Sequence, residues 1–430
     1  MASTGTVPAS PAPRLYARSA PLDEFPELID YVDPREPLLW VRRGDGLVGQ
    51  GVAHRIVTRG PERFAEAARQ WRELVSRADV EDGVGLVGSG LVAFGSFAFA
   101  DASQAESVLL VPRRLIGIRD GRCWVTRIWA EGETEPEPPV RSGDRSFGSA
   151  RVVFSAGAQS PEGYLSAVEE AVRRIRSSEL AKVVLARDAV GSLPAPADLR
   201  APILRLAQAY TRCWIFAVEG LLGASPETLI TVHEGVATAR VLAGTASRGA
   251  DRGADQAAAQ ALAASEKDHD EHAFAVESAV ASLRPHVRAL SRSEEPFTLK
   301  LPNVWHLASD IEAEVADGSD SLALAAALHP TAAVAGSPPE LALRVIAELE
   351  PFDRERYAGP VGWIDAEGDG EWAIALRCAS VSFPGQEPGG GSDRGVVHAY
   401  AGAGIVGESD PQRELAETRV KFRPILDAFA

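Results

Sequence analysis

The sequence predicts a mixed α/β fold, α+β-like in character, with large antiparallel sheets flanked by helices. Short apolar runs with two-residue alternation recur in both halves of the 430-residue chain, which is the signature of strands. A smaller number of segments carry apolar residues at helical spacing instead. The 45% hydrophobic content is ample for large cores, and the length corresponds to roughly two to three domains.

The N-terminal stretch MASTGTVPASPAPRLYARS has no apolar core of the kind a signal peptide needs, so residues 1–20 are expected to form a flexible N-terminus. Residues 21–150 read as a scaffold subdomain. Leu38–Arg43, Gly51–Thr58, Leu91–Ala100, Ser107–Gly117 and Cys123–Trp129 are expected strands. Pro61–Ala78 is an amphipathic helix with Phe64, Ala67, Trp71, Leu74 and Val75 on one side. No cluster of reactive residues falls here. Glu131–Pro139, EGETEPEPP, is a polar, proline-rich linker to the next region.

Residues 151–430 carry the candidate chemistry. A Ser-Pro-Glu start at Ser160 opens a helix that runs through Ile175 and delivers the chain to AKVVLARDAV, Ala181–Val190. That segment is apolar on both faces apart from Lys182 and Arg187, the pattern of a strand buried on both sides. Lys182 at its start is either an ammonium snorkelling to water or a desolvated amine able to act as a base. Cys213–Gly249 is a meander of short strands, with Glu227 in a turn before an apolar strand and Gly244-Thr245 at the end of another. A carboxyl held against apolar neighbours can donate a proton near neutrality, and a backbone N–H with a hydroxyl can meet a bound carboxylate.

Asp251–Leu290 reads as one long helical region that brings Asp268, Glu271 and His272 onto one turn. A zinc reading of His269 and His272 competes, but the spacing is not the helical H-x-x-x-H pair, and hard carboxylates suit magnesium better. His306 falls in an expected strand, and Gly336 with Pro338-Pro339 breaks the chain before a helix. Two further strands join at the Glu367–Gly370 hairpin, with Tyr357 before the first and Arg377 within the second. An arginine among the apolar neighbours of WAIALRCA needs an anion, and a ligand carboxylate fits it in bidentate fashion.

The chain ends with a strand from Val396, a glycine turn at Gly402 and Gly404, and a helix begun by Ser409-Asp410-Pro411. Glu414, Glu417 and Lys421 share one face of that helix, which suits a divalent cation and an anionic substrate side by side. GAGIVG, Gly402 to Gly407, fits the dinucleotide G-x-G-x-x-G pattern, but the second strand and acidic residue of that fingerprint would lie beyond Ala430. It is read as a glycine turn, as are Gly44–Gly49 and Gly83–Gly88.

The formal net charge of −16, with no basic stripe, argues against nucleic acid and anionic membranes as partners, while a small anion in a local basic pocket remains compatible. No apolar run reaches the length of about 20 residues that a membrane span needs, and a cytoplasmic protein is expected. The 3 cysteines, Cys123, Cys213 and Cys378, are scattered in apolar segments and read as small core residues.

KVVLAR, GASPE, LAGT, EKDHDEH, HPTAAVAG, RYAGPVGW, GEWAIALR and AGAGIV-(x)3-DP-(x)2-E-(x)2-ET-(x)2-K occur in an order that resembles the chorismate-utilising enzymes, and among them the isochorismate synthases. The resemblance is strong over Ser160–Phe429 and only in outline before it. It implies the chorismate-utilising enzyme fold, chorismate as substrate, and addition of water at ring C2 with loss of the C4 hydroxyl. In that scheme Lys182 deprotonates the water and Glu227 protonates the departing hydroxyl from the opposite face. Glu271 and Glu417 would bind Mg²⁺ directly and Glu414 through water, with the metal gripping the ring carboxylate. Tyr357, Arg377 and the Gly404 backbone would hold the other carboxylate, and Gly244, Thr245, His306, Ala333 and Lys421 would line the remainder.

The same positions separate the relatives. Ammonia-adding enzymes resemble this chain but lack a lysine at the Lys182 position. The aminodeoxychorismate branch carries lysine where Ala243 stands, and anthranilate synthases have a D-L-x-R-N-D motif where AFAVESAV follows His272. Salicylate synthases share the lysine base and carry a threonine near Ala333. Ala332 and Ala335 depart from the proline and glycine common in isochorismate synthases. A salicylate synthase and a non-catalytic binding protein of the same fold therefore stand as alternatives. No amidotransferase subunit is required, a monomer is expected, and the product could feed menaquinone or siderophore synthesis.

Overall fold

The computed structural model describes residues 13–143, 151–177, 180–194, 197–249, 251–300, 304–316, 318–383 and 394–430. Strands β1 (Leu15–Pro21), β2 (Leu38–Arg42) and β3 (Asp45–Thr58) precede helix α1 (Arg63–Arg77). Strands β4 (Asp79–Asp82), β5 (Val92–Ser96), β6 (Ser107–Arg119) and β7 (Arg122–Ala130) follow it. The middle of the chain runs β8 (Phe154–Ala156), α2 (Pro161–Ser177), β9 (Lys182–Leu193), α3 (Arg200–Ala209), β10 (Trp214–Val218), β11 (Leu221–Ser225), β12 (Thr228–His233) and β13 (Val236–Ser247). Helices α4 (Arg252–Ala263) and α5 (Glu266–Leu283) lead to β14 (Val287–Arg292), β15 (Phe297–Lys300) and β16 (Val304–Val315). The last third comprises α6 (Ser321–Leu328), β17 (Gly336–Ser337), α7 (Pro339–Leu349), β18 (Pro360–Asp365), β19 (Gly370–Ile374), β20 (Cys378–Ser382), β21 (Gly395–Ile405) and α8 (Pro411–Ala428).

All 21 described strands join one hydrogen-bonded sheet, and β6 is its hub. One edge of β6 pairs with β3 along its length; the other is shared by β5 at Leu110 and by β7 at Arg114. Two limbs leave the hub. The first runs β3, β2, β10, β11, β20, β21 and β9. The second runs β5, β18, β19, β12, β13 and β16. Every pairing described is antiparallel except β1 with β4.

Alternation along the first limb feeds two cores. Trp214, Phe216 and Val218 of β10 join Trp40 in the central core, whereas Ile215 and Ala217 face Ile203 and Leu206 of α3 and Phe422 and Ile425 of α8. Burial on both faces explains why these strands read as unbroken apolar runs. On the second limb α5 packs on β13 and β16, and α6 on β12 and β19. Trp40, Trp124, Trp363 and Trp372 are fully buried; burying a large side chain contributes about 1.5–3 kcal/mol. The three cysteines are free and buried, as expected of core residues.

Several expectations are corrected. The segment read as a flexible N-terminus contains β1, whose apolar residues Leu15 and Ala17 are buried as it pairs with β7. The long helix over Asp251–Leu290 is two helices: Ser265 accepts from the Asp268 N–H and caps a new helix, and Val287 onward is strand. Arg377 is not within a strand, since β19 ends at Ile374 and Arg377 itself has φ of 48°. Gly402 and Gly404 form no turn; both lie inside β21, paired with Ala186 and Val184. The connection read as flexible, Pro384–Gly395, falls mostly on residues 384–393, outside those described.

Candidate active site

The free ends of the two limbs bring the candidate residues together. Lys182 is the first residue of β9, and the neighbouring strand passes it with Gly404. A Cβ built on Gly404 would lie 3.0 Å from the Lys182 Cε and 3.8 Å from its Nζ. The glycine therefore leaves the groove in which the lysine side chain rests. No side chain among the described residues hydrogen-bonds the Lys182 amine, so it remains available to a ligand.

Glu227 sits in the turn between β11 and β12, tied down by its own backbone. Its N–H donates to the Ser225 hydroxyl at 3.3 Å, and its carbonyl accepts from the Ile374 N–H at 3.1 Å. Burial pushes its carboxyl above the usual range, opposed by the charges of Lys182, Lys421 and Arg377. A carboxyl that burial holds towards its neutral form thus shares this space with the charge of Lys182.

His306 of β16 and Gly244 of β13 form the wall from the second limb. A bulge between Ala243 and Thr245 puts Gly244 at φ of 74°, where a side chain would be strained. The His306 Nδ1–H donates to the Gly244 carbonyl at 3.3 Å. Burial lowers the imidazole pKa, and Lys182 and Lys421 lower it further, which holds the ring towards its neutral form.

Tyr357 is 4% exposed and stacked on Tyr400 with ring centroids 5.1 Å apart. A Cβ on Gly402 would fall 3.1 Å from its hydroxyl, so this glycine, too, opens room on the site's floor. Burial raises the phenol pKa and keeps the group a donor. Arg377 leaves the strand but stays partly buried, near enough to act on Glu227 and Tyr210, and no described carboxylate pairs with it. Ala333 is exposed on the turn ahead of β17, which pairs with Lys182 and Val183.

On α8, Asp410 caps the helix by accepting from the Arg413 N–H, with Pro411 at its first position. Lys421 donates to the Gly402 carbonyl at 2.9 Å and pairs with Glu417 at 2.7 Å. Such an exposed pair contributes only about 0–1 kcal/mol, so the ammonium can turn to a ligand anion at little cost. Burial raises the Glu414 pKa, and the Glu417 charge adds to the rise. A cation between these carboxylates would relieve both effects, and hard oxygen donors on one helical face fit Mg²⁺. The side chains of Glu271 and Thr245 lie outside the described residues, and no group of three metal-capable side chains gathers among the described ones. The backbone beside Glu271 does reach the site: a Cβ on Gly244 would stand 3.2 Å from Asp268. The competing zinc reading fails, because His272 is bonded to the Ala243 carbonyl and the Ser309 hydroxyl, and His269 to the Ala263 carbonyl. A cavity of about 670 Å³ bordered by Arg18, Glu81, Arg127 and Glu135 is no rival, since those charges pair with one another.

A family model described as chorismate binding enzyme matches residues 34–430. The chain belongs to the chorismate-binding enzyme family. Within that family it is 39% identical over 281 residues to isochorismate synthase DhbC of Bacillus subtilis (strain 168), spanning 63% of this chain and 68% of that protein. It is 31% identical over 436 aligned residues to the salicylate biosynthesis isochorismate synthase of Pseudomonas aeruginosa, spanning 95% and 88%. The structure of MenF, the menaquinone-specific isochorismate synthase from Escherichia coli, superposes with a TM-score of 0.76 at 26% identity, covering 96% of this chain and 95% of that one.

Sequence reasoning missed several residues that support the site of this chorismate-binding enzyme. Ser337 pairs with Lys182. Tyr400 stacks beneath Tyr357 and hydrogen-bonds His398, which is held by Asp188. Glu350 and Arg354 form an ion pair in which each side chain is 2% exposed. Their i,i+4 spacing is a visible signal, but nothing in the charged stretch DRERY marks Arg354 as buried.

Proposed function

We propose that the protein is an isochorismate synthase that converts chorismate to isochorismate. The observation that carries this reading is the opposition of Lys182, unpartnered in the groove over Gly404, to Glu227, a carboxyl that burial holds towards its neutral form. Lys182, entering the step as the free amine after its ammonium has given a proton to solvent, takes a proton from water as the water oxygen bonds to ring C2. The two ring double bonds each shift by one position, the C4–O bond breaks, and Glu227 gives its proton to the departing hydroxyl, which leaves as water. The step is an isomerisation with no net oxidation, and a base and an acid are all the protein must supply.

Both carboxylates of the substrate need cationic or N–H partners in a chain of net charge −16. Arg377, the Tyr357 hydroxyl and Lys421 are the donors at hand. His306, held towards its neutral form, lines the site and adds no positive charge that would deter protonation of Glu227. Glu414 and Glu417, with Glu271, are the residues that would hold Mg²⁺, which when bound would neutralise a carboxylate of the substrate.

The test is to incubate the purified protein with chorismate, with and without Mg²⁺, and to separate the products by chromatography. Isochorismate formed only with the metal is the expected result. Salicylate with pyruvate would move the enzyme to the salicylate synthases, and unchanged chorismate would remove the catalytic reading.

A further inference from the structure

Strand β9 has one complete edge and one broken edge. Along the first, β21 pairs without interruption from Leu193 to Val183. Along the second, β8 pairs with Ala189–Gly191 and β17 with Lys182–Val183. Over Val184–Ala186, between them, no described strand lies, yet this stretch is buried. Backbone groups buried without partners are costly, so something must bond them.

The Val184 N–H still reaches backbone, donating to the Ala335 carbonyl at 2.9 Å just before β17. The Val184 carbonyl and the Ala186 N–H are served by the Glu350–Arg354 pair. The Glu350 carboxylate accepts from the Ala186 N–H at 2.7 Å, where a strand's carbonyl would otherwise stand. Arg354 donates to the Val184 carbonyl at 2.7 Å, where a strand's N–H would stand. The same guanidinium donates to the Val334 carbonyl at 2.8 Å and to both Glu350 oxygens at 2.6 and 2.8 Å. The Arg354 carbonyl in turn accepts from the Tyr357 N–H at 2.9 Å. One ion pair therefore ties together the strand that begins with Lys182, the turn that carries Ala333, and the segment that carries Tyr357. A buried pair is weak evidence of a stability role, since apolar residues of the same volume often serve stability as well. Its value here is geometric: a planar fork with fixed donor directions sets the spacing of three backbone segments.

We propose that Glu350 and Arg354 are positioning residues for the reaction, standing in for a missing strand beside β9 and so fixing Lys182 relative to the Ala333 turn and Tyr357. Neither residue touches the substrate; both act through the backbone that carries those that do. This inference rests on the isochorismate-forming reading above.

Arg354→Lys separates positioning from stability. Lysine keeps the charge opposite Glu350 but donates from one point and cannot serve Val184, Val334 and Glu350 together. The expected result is a protein that still folds, with a lowered thermal midpoint because a buried carbonyl loses its donor. It is assayed well below that midpoint, where the folded fraction matches wild type. Its kcat for isochorismate falls by about tenfold or more while its KM for chorismate stays within about threefold, the split of a misplaced reacting group. Glu350→Gln, which retains an acceptor for Ala186, is expected to show the same split less strongly. Activity that falls only in step with the folded fraction in both variants, including their failure to fold, would make the pair a stabiliser and overturn the proposal. So would wild-type kcat in a well-folded Arg354→Lys. A wild-type protein that forms no isochorismate would instead overturn the proposed function, which the unmutated control reports by itself.

Discussion

At the scale of single residues, environment and not residue type assigns the roles. Lys182 is one of a handful of lysines in an arginine-rich chain, and what distinguishes it is the Gly404 groove and the lack of a partner. Lys182→Gln preserves length and hydrogen bonding but cannot take a proton. We expect isochorismate formation to drop by about 10²–10⁴-fold, the usual worth of a general base, with chorismate binding by calorimetry largely retained. Wild-type turnover in this variant would remove Lys182 from the base role. For Glu227 the sign follows from the raised pKa. The acid works when protonated, so kcat should fall as pH rises through that raised value, and Glu227→Gln should abolish both the rate and this alkaline limb. Stability follows the same direction: the unfolded chain gives up this proton at ordinary carboxylate pH, so the native state loses stability as pH climbs from that range through the raised value. A pH–rate profile of wild type with no alkaline limb would count against Glu227 as the acid.

At the scale of elements, the site depends on strands that approach more closely than side chains allow. Gly404→Ala places a methyl 3.0 Å from the Lys182 Cε, a distance at which the lysine must shift. Displacing a reacting group by about 1 Å can cost on the order of 10²-fold. We expect kcat to fall by about that much with circular dichroism unchanged; a normal kcat in the Gly404→Ala enzyme would show that Lys182 adapts freely. The residue patterns foretold β9, β16, α2 and α8 because their periodicity and caps are local. They did not foretell that Ser265 would split the helix, because a mid-helix serine and a capping serine look alike until the turn before it is known. Arg377 misled for a related reason. Its apolar neighbours continue the pattern of β19, but the backbone turns at φ of 48° to aim the side chain towards Glu227.

At the scale of the whole molecule, buried charges bind the two halves of the chain. Glu371 accepts from Trp40 at 2.8 Å and from Arg119 at 3.1 Å on the N-terminal side, and contacts His233 at 2.9 Å and Trp363 at 3.2 Å on the other. Burial would raise its pKa, but His233, Arg119 and Trp40 together hold it at about 2. Its contribution to stability is therefore present at neutral pH and lost as pH falls from about 4.5 towards about 2. Glu371→Gln leaves Arg119 without its countercharge, and loss of one partner of a buried pair costs about 3–5 kcal/mol. Urea unfolding should report that loss as one cooperative step; a cost below about 1 kcal/mol would show that water replaces the carboxylate.

The sequence by itself determined the class of fold, the chorismate-binding resemblance, the acidic face of α8, and the candidates Lys182, Glu227, His306 and Arg377. These signals are local: periodicity, caps, and polar residues set in apolar runs. Only the tertiary structure decided that β21 runs straight through Gly402 and Gly404, that Gly404 shelters Lys182, and that Glu350 and Arg354 close the broken edge of β9. Each of these joins residues far apart in the chain, and pairing across such distances is set by which backbone groups remain unsatisfied once the strands have met, a quantity no single segment contains.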